Sequence, residues 1–242
     1  MAATGFVPKT AALVRKDLRI EARGRDTLPP MLAFTFAVVL LLAFSLPDAS
    51  QLDRPVRLPT GGSLLLADVL AGFLWVTVLF AGLIGFARTF EVEREGGALD
   101  VLLLVPLDRA GLFAAKAISN LVFVLAVEAM LIPVYVLMFG VDLGSGWLAL
   151  ALVVLLVDVG FVCVGTVFAA LAAQTSSREL MLPLLALPAL VPVFIAATEL
   201  TSDLFAGAGF DAVAARGWFT ILGAFDVVFA SAGALVFDFT LE

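Results

Sequence analysis

The chain has 242 residues, of which 62% are hydrophobic and 14% are charged. Soluble domains average about 45–50% apolar and about 25% charged residues, so the composition excludes an ordinary soluble enzyme. The sequence contains no histidine and one cysteine, which excludes histidine-dependent triads, histidine metal sites and an intrachain disulfide. No metal site is expected. The net charge of −7 comes from acids spread along the chain, and no nucleic-acid partner is expected.

The first predicted element is an amphipathic helix over residues 7–25. Apolar residues recur at spacings of three and four, and basic residues occupy the opposite face. This pattern predicts a helix that lies in the membrane interface, with its basic side toward anionic lipid headgroups. A helical flank of cytoplasmic basic charge gives the same pattern. The apolar series is Val7, Ala11, Val14, Leu18 and Ala22, and the basic series is Arg15, Lys16, Arg19 and Arg23.

Six apolar runs follow, and a bilayer crossing requires about 20 such residues. Because lipid-exposed backbone must satisfy its own hydrogen bonds, runs of this length predict helices and not barrel strands. The expected fold class is therefore all-α, a polytopic membrane protein with one transmembrane domain over 1–242. The predicted spans are 30–47, 64–86, 112–138, 147–173, 180–198 and 217–237.

The basic residues predict the orientation of these spans. Six of them lie in the N-terminal segment, four around the second-to-third connection and one in the fourth-to-fifth connection, against three on the opposite side. Lysine and arginine accumulate on the cytoplasmic side of membranes. Both termini are therefore predicted to be cytoplasmic.

The connection over 91–109 has the pattern of neither a plain spacer nor a span. A charged group precedes two glycines, and the apolar stretch 98–105 that follows predicts a short helix ended by proline. An apolar helix exposed to the cytoplasm needs a cover, so a partner protein is expected to bind here. The residues assigned to this contact are Glu91, Glu93, Arg94, Glu95, Gly96, Leu99, Leu102, Leu103 and Pro106.

Three acids, Glu128, Asp158 and Asp226, fall near the middle of predicted spans. An ionisable residue inside a span is a functional hypothesis by default. No lysine or arginine lies at the same depth, so an ion pair within the chain is not expected. Three interpretations stay open: hydrogen bonds between helices, a polar cavity for substrate, and coupling to proton movement.

Prolines and tryptophans mark further positions in the spans. Pro183, Pro188 and Pro192 lie near one face of the fifth span and remove backbone hydrogen bonds. They indicate either a flexible element beside a transport pathway or a permanently kinked helix whose neighbours satisfy the freed carbonyls. Trp75 and Trp147 lie near the outer parts of their spans and are predicted to anchor the chain at the membrane interface.

A charged E-x-E cluster, a glycine, a short leucine-rich helix, a proline and then a lysine resemble the segment between the second and third spans of type 2 ABC exporter permeases. More narrowly, the chain resembles the CcmB family, the permease of the haem-exporter system in cytochrome c maturation. The stretch Thr198–Arg216 matches least. The blocks that carry the resemblance are Lys16–Arg23 (KDLRIEAR), Phe73–Arg109, Arg178–Val193 and Phe225–Glu242.

The resemblance implies a permease subunit in the inner membrane, dimeric within its complex, that pairs with a cytoplasmic ATPase subunit and with other haem-handling membrane subunits. Residues 98–105 would be its coupling helix, and haem would be the cargo. The sequence independently indicates that ATP-Mg binds elsewhere, because a Walker A lysine follows a glycine and none of Lys9, Lys16 and Lys116 does. No catalytic residue and no resident cofactor are expected in this chain.

Haem ligation is also expected in other subunits. Axial ligands are histidine, methionine, cysteine or tyrosine, and the remaining candidates here are better explained as packing residues. These candidates are Met130, Met138, Met181, Tyr135 and Cys163.

Three other functions remain open. The chain could be an ABC exporter permease for a lipid or glycan, or a non-transporting scaffold in which ATP hydrolysis remodels a haem-chaperone complex. A proton-coupled secondary transporter would use the intramembrane acids and no ATPase.

Overall fold

A computed structural model describes residues 5–46, 56–57, 63–90, 109–173 and 178–240. These ranges form eight α-helices, which confirms the all-helical prediction, and one pair of two-residue strands. The helices are α1 (Phe6–Gly24), α2 (Leu28–Ser45), α3 (Leu66–Arg88), α4 (Arg109–Phe139), α5 (Trp147–Ala173), α6 (Arg178–Phe205), α7 (Phe210–Ala215) and α8 (Trp218–Thr240).

Six of these helices, all except α1 and α7, are long and apolar enough to cross a bilayer, as predicted. Helix α6 extends to Phe205, beyond the predicted end at 198. The strands, β1 (Val56–Arg57) and β2 (Ser63–Leu64), pair antiparallel in the connection between α2 and α3. Since successive spans alternate in direction, α1, the start of α4 and the end of α8 lie at one end of the bundle.

Helix α5 lies at the centre of the bundle, where it packs against α3, α4, α6 and α8. In their most apolar stretches, 67% of α5 and 61% of α3 are buried, against 22% of α2 and 17% of α8. The α3–α5 pair is therefore the core, and α2 and α8 are the spans with the most surface left for lipid or a partner.

Two glycines allow α3 and α5 to approach closely. A Cβ atom at Gly82 would overlap the ring of Phe161, and one at Gly165 would overlap the ring of Phe86. The two phenylalanine rings meet edge to face with centroids 4.8 Å apart, a favourable aromatic geometry. Small residues at helix contacts are typical of membrane bundles, because backbones can then pack closely without a hydrophobic driving force.

The prediction that Trp75 anchors the chain at the membrane interface is wrong. Its side chain is 1% exposed, and its indole Nε1 donates a hydrogen bond to the hydroxyl of Thr201 on α6 at 2.8 Å. Buried indole groups need such a partner, and a residue 126 positions away cannot be identified from local pattern. Trp147, at the first residue of α5, is 49% exposed.

A sharp corner joins α1 to α2. Arg25 closes α1 in the left-handed conformation, and its N–H donates to the carbonyl oxygen of Glu21. The carboxylate of Glu21 accepts hydrogen bonds from the backbone N–H groups of Thr27 and Leu28, at 2.8–3.1 Å. The free N–H groups at the start of a helix favour a negative charge, so Glu21 fixes the end of α1 against the start of α2.

We predict that Gly82→Ala and Gly165→Ala each destabilise the protein, because the added methyl group must displace a phenylalanine ring. Overpacking of this kind costs about 1–3 kcal/mol. Gly72→Ala in α3 is the matched control, since a Cβ there meets no atom within 4 Å. Thermal unfolding of the detergent-solubilised protein measures the effect; equal melting temperatures for all three variants would contradict the described α3–α5 contact.

Candidate functional site

The contact residues assigned to the 91–109 connection lie outside the described residues. They are Glu91, Glu93, Arg94, Glu95, Gly96, Leu99, Leu102, Leu103 and Pro106. The structure does describe the residues on either side of them, Thr89 and Phe90 after α3 and Arg109 at the start of α4. The site is therefore built from the two ends of this loop and the side chains around them.

An ion pair joins α1 to the start of α4 at this end of the bundle. Lys116 Nζ lies 3.0 Å from Asp17 Oδ2, and the two side chains are 5% and 12% exposed. The hydroxyl of Ser119 lies 3.4 Å from the same carboxylate oxygen. Lys116 also donates to the carbonyl oxygen of Thr89 at 3.4 Å and lies 5.7 Å from the centroid of the Phe90 ring.

Asn120 connects α4 to two further elements. Its Oδ1 accepts a hydrogen bond from the hydroxyl of Thr89 at 2.9 Å, and its Nδ2 donates to the hydroxyl of Thr166 on α5 at 3.0 Å. Asn120 is 2% exposed and Thr166 is 0% exposed. Because buried amides and hydroxyls need partners, these bonds specify how the end of α3, α4 and α5 meet. We call Asp17, Thr89, Lys116, Ser119, Asn120 and Thr166 the polar junction.

A small cavity lies beside the polar junction. Its volume is about 40 Å³, enough for roughly two or three water molecules. Both charge signs line it, from Asp17, Glu21, Arg88 and Lys116. The cavity is much too small for a haem and fits bound water.

Three carboxyl groups lie at one level deeper in the bundle. Asn120 pairs with Thr166, and the same antiparallel register places Glu128, eight residues or about 12 Å further along α4, level with Asp158 on α5. The two carboxyl groups are close enough to interact electrostatically. Among the described residues, no hydrogen-bond partner reaches either oxygen of Glu128 or of Asp158.

The third carboxyl group, Asp226 on α8, lies against α5 near the same level. A Cβ atom at Gly160 would lie 2.7 Å from Asp226 Oδ1, and Gly160 follows Asp158 by two residues. Asp158 is 0% exposed and Glu128 is 2% exposed. The three candidate polar residues of the spans therefore gather around the middle of α5.

The model of the family described as "CcmB protein" matches residues 9–241. The chain belongs to the CcmB family. It is 29% identical to heme exporter protein B of Rhodobacter capsulatus over 189 residues, which cover 78% of this chain and 80% of the relative. It is 30% identical to heme exporter protein B of Paracoccus denitrificans over 197 residues (81% and 84%). The corresponding protein of Haemophilus influenzae is 28% identical over 215 residues (88% and 87%).

Membership of the CcmB family confirms the resemblance drawn from the sequence blocks. Together with the six apolar helices, it identifies a multi-pass membrane protein of a transport family. The block Lys16–Arg23 has a structural meaning in this CcmB chain, because it contains both acids that tie α1 to the spans, Asp17 to α4 and Glu21 to the start of α2.

The sequence interpretation missed these tethering residues. It grouped α1 by its apolar and basic residues, whereas the residues most buried on α1 are Thr10 and Glu21. Val7 is 72% exposed, and Ala11 and Ala22 are also exposed. Two acids four residues apart on a basic helix, and a lysine followed by Ser119 and Asn120 at the start of a span, are the signals that point to the polar junction.

The three prolines of α6 lie toward the outside of the bundle. Pro188 and Pro192 are exposed and Pro183 is half-buried, while Leu182, Ala186 and Leu190 form the buried face. Helix α6 continues through all three prolines. The position of the prolines therefore keeps the freed backbone groups away from the contact between α5 and α6.

We predict that Glu128→Gln and Asp158→Asn leave the melting temperature unchanged or raise it. The amides keep the shape and hydrogen-bonding capacity of the acids and remove the cost of burying a carboxylate where no counterion lies among the described residues. Glu199→Gln is the control, because it breaks an exposed pair with Arg216 of small energetic value. A clear fall in melting temperature for both core variants would contradict the prediction and show that the acids themselves stabilise the core.

Proposed function

We propose that this chain is the permease subunit of an ABC complex that moves or presents haem for cytochrome c maturation. The observation that carries the proposal is the CcmB family match over residues 9–241, with relatives named heme exporter protein B. Six apolar helices suit a permease. ATP-Mg would bind to a separate subunit, because the lysines of this chain lack the Walker A context.

The segment 98–105 is proposed to dock the ATPase subunit, with Glu91, Glu93, Arg94 and Glu95 at its base. Support comes from its position in the sequence between α3 and α4, because the residues that flank it contribute to the polar junction. Thr89 and Phe90 before the segment contact Lys116 and Asn120 on α4 after it. Because the two ends of the loop contact each other, a displacement of the loop by a bound partner would be transmitted directly to α3 and α4.

Haem ligation is proposed to belong to partner subunits. The hydroxyl of Tyr135 already donates to the carbonyl oxygen of Leu70 at 3.1 Å, and Cys163 is buried in the apolar core. Met130 and Met138 lie on the surface of the bundle, at 36% and 55% exposure. The side chains with ligand chemistry are therefore spread over different surroundings and do not form a haem pocket among the described residues.

The orientation and the membrane partners of α1 are also part of the proposal. Arg15, Arg19 and Arg23 are exposed on α1, while Asp17 and Glu21 face the spans. This division supports an interfacial helix whose arginines meet anionic lipid headgroups on the cytoplasmic side. A homodimer would use the surface of the less buried spans, such as α2 or α8.

Leu102→Asp tests the ATPase-docking proposal. We expect the variant to insert normally and to lose co-purification with the ATPase subunit, because a carboxylate would have to be buried in the docking groove. Leu104→Asp is the matched control, since Leu104 lies outside the predicted contact set of Leu99, Leu102 and Leu103. Stoichiometric capture of the ATPase by Leu102→Asp would contradict the proposal.

ATPase capture, holocytochrome c yield and haem movement across sealed vesicles together separate the rival functions. A secondary transporter would work without the ATPase subunit. A lipid or glycan exporter would capture the ATPase without affecting holocytochrome c. A remodelling scaffold would give ATP-dependent holocytochrome c without net movement of haem across sealed vesicles.

Fusion reporters test the proposed orientation. Green fluorescent protein at the C-terminus is expected to fluoresce, and a periplasmic phosphatase reporter placed at the same position is expected to be inactive, because positive charge retains this end in the cytoplasm. The control is a reporter pair inserted after Ala206, at the opposite end of the bundle, where the two activities should be reversed. Phosphatase activity at the C-terminus would show that the orientation is inverted.

A further inference from the structure

Lys116 contacts three parts of the chain at the end of the bundle where the loop over 91–108 begins and ends. It belongs to the helix that follows the loop, about two turns after Arg109. Its ammonium group bonds to Thr89 and lies over Phe90, the residues that precede the loop. It also forms the ion pair with Asp17 on α1. One side chain thus connects both flanks of the loop to the N-terminal helix.

The surroundings make this connection stiff. The Asp17 and Lys116 side chains are almost completely buried, and the pair is short. Helix α1 also packs along α4, and separating the two charges would cost the favourable interaction of a short, largely buried ion pair. A displacement of the start of α4 therefore carries α1 with it, because sliding between the two helices would break the pair.

A second tether continues from α1 to the first span. Glu21 lies one helical turn after Asp17 and accepts three backbone hydrogen bonds from the start of α2. Helix α1 is thus held to α4 by one acid and to α2 by the next. Movement of the loop can therefore reach α1 and α2 through these two tethers, without involving the central α3–α5 contact.

From this arrangement we infer that Asp17 and Lys116 are positioning residues that transmit displacement of the loop to α1 and α2. The inference rests on the proposed function, since it requires an ATPase subunit that pushes on the loop. It adds a specific route from the loop into α2, one of the two least buried spans. The pair acts as a rigid strut throughout the cycle and not as a contact that opens.

A neutral pair separates this role from a merely structural one. Asp17→Asn combined with Lys116→Met removes both charges of the pair together, so neither is left buried without the other, and the protein is expected to fold. The double variant should capture the ATPase subunit at the wild-type level. Its yield of holocytochrome c per ATP hydrolysed should fall roughly fivefold, within the range seen when residues that couple distant sites are changed.

Two further variants serve as matched comparisons. Lys116→Arg keeps a cation that can pair with Asp17 and should restore the yield to near the wild-type value. Lys16→Met removes the other lysine at Asp17, which lies 3.2 Å from Oδ1 but is 36% exposed, and should change the yield little. A wild-type yield for the neutral double variant would overturn the inference, because the pair would then only hold the fold. Loss of ATPase capture by that variant would overturn it as well.

If the neutral double variant does not fold, cross-linking provides a second test of the rigid connection between positions 17 and 116. Cysteines at positions 17 and 116, in a background where the buried Cys163 is replaced by alanine, should be joined by a short bifunctional thiol reagent in membranes. The cross-linked complex should keep ATP-coupled activity if the strut stays closed, and loss of coupling on cross-linking would overturn the inference. Failure of the wild-type chain to capture an ATPase would instead refute the proposed function, and the inference with it, even where the cross-link forms.

Discussion

Two interlocking contacts between α3 and α5 are the packing constraint at the centre of the bundle. Gly82 and Gly165 each receive a phenylalanine ring from the facing helix, so the two most buried spans interlock at two points. Helices α4, α6 and α8 then pack around α5. In a bilayer, lipid tails compete equally for apolar surface, so shape complementarity and hydrogen bonds must supply the specificity that burial supplies in water.

Polar side chains within the spans are placed where a second helix can meet them. Trp75 bonds to Thr201, Tyr135 to the backbone of α3, and Asn120 to Thr166. Each bond joins a different pair of helices, and together they define the relative register of α3, α4, α5 and α6. Glu128, Asp158 and one oxygen of Asp226 are the exception, since no hydrogen-bond partner for them lies among the described residues. They are the part of the core where the described residues do not satisfy every buried polar group.

Helix α7 and the β1–β2 pair were not predicted from the sequence. The six spans could be predicted, because span length and apolar composition are local properties. The role of Trp75 could not, since its partner Thr201 is distant in sequence and its burial depends on α6. The same holds for Asp17, whose polar neighbours on α1 gave no indication of a lysine 99 residues away. The acids of the spans were recognised individually, but only the register between α4 and α5 shows that Glu128 and Asp158 lie at one level.

The corner between α1 and α2 has a consequence for the order in which the structure forms. All of its hydrogen bonds join residues within seven positions of one another, so the corner can form as soon as the first span has left the ribosome. Asp17 and Lys116 are 99 positions apart, so their pair has to wait until the start of α4 is synthesised. During that interval α1 already has a fixed angle to the first span, but Asp17 has not yet met Lys116. Nascent chains truncated before Lys116 should therefore contain a formed corner between α1 and α2, with Asp17 still hydrated. Synthesis of α4 would then bury Asp17 in the polar junction.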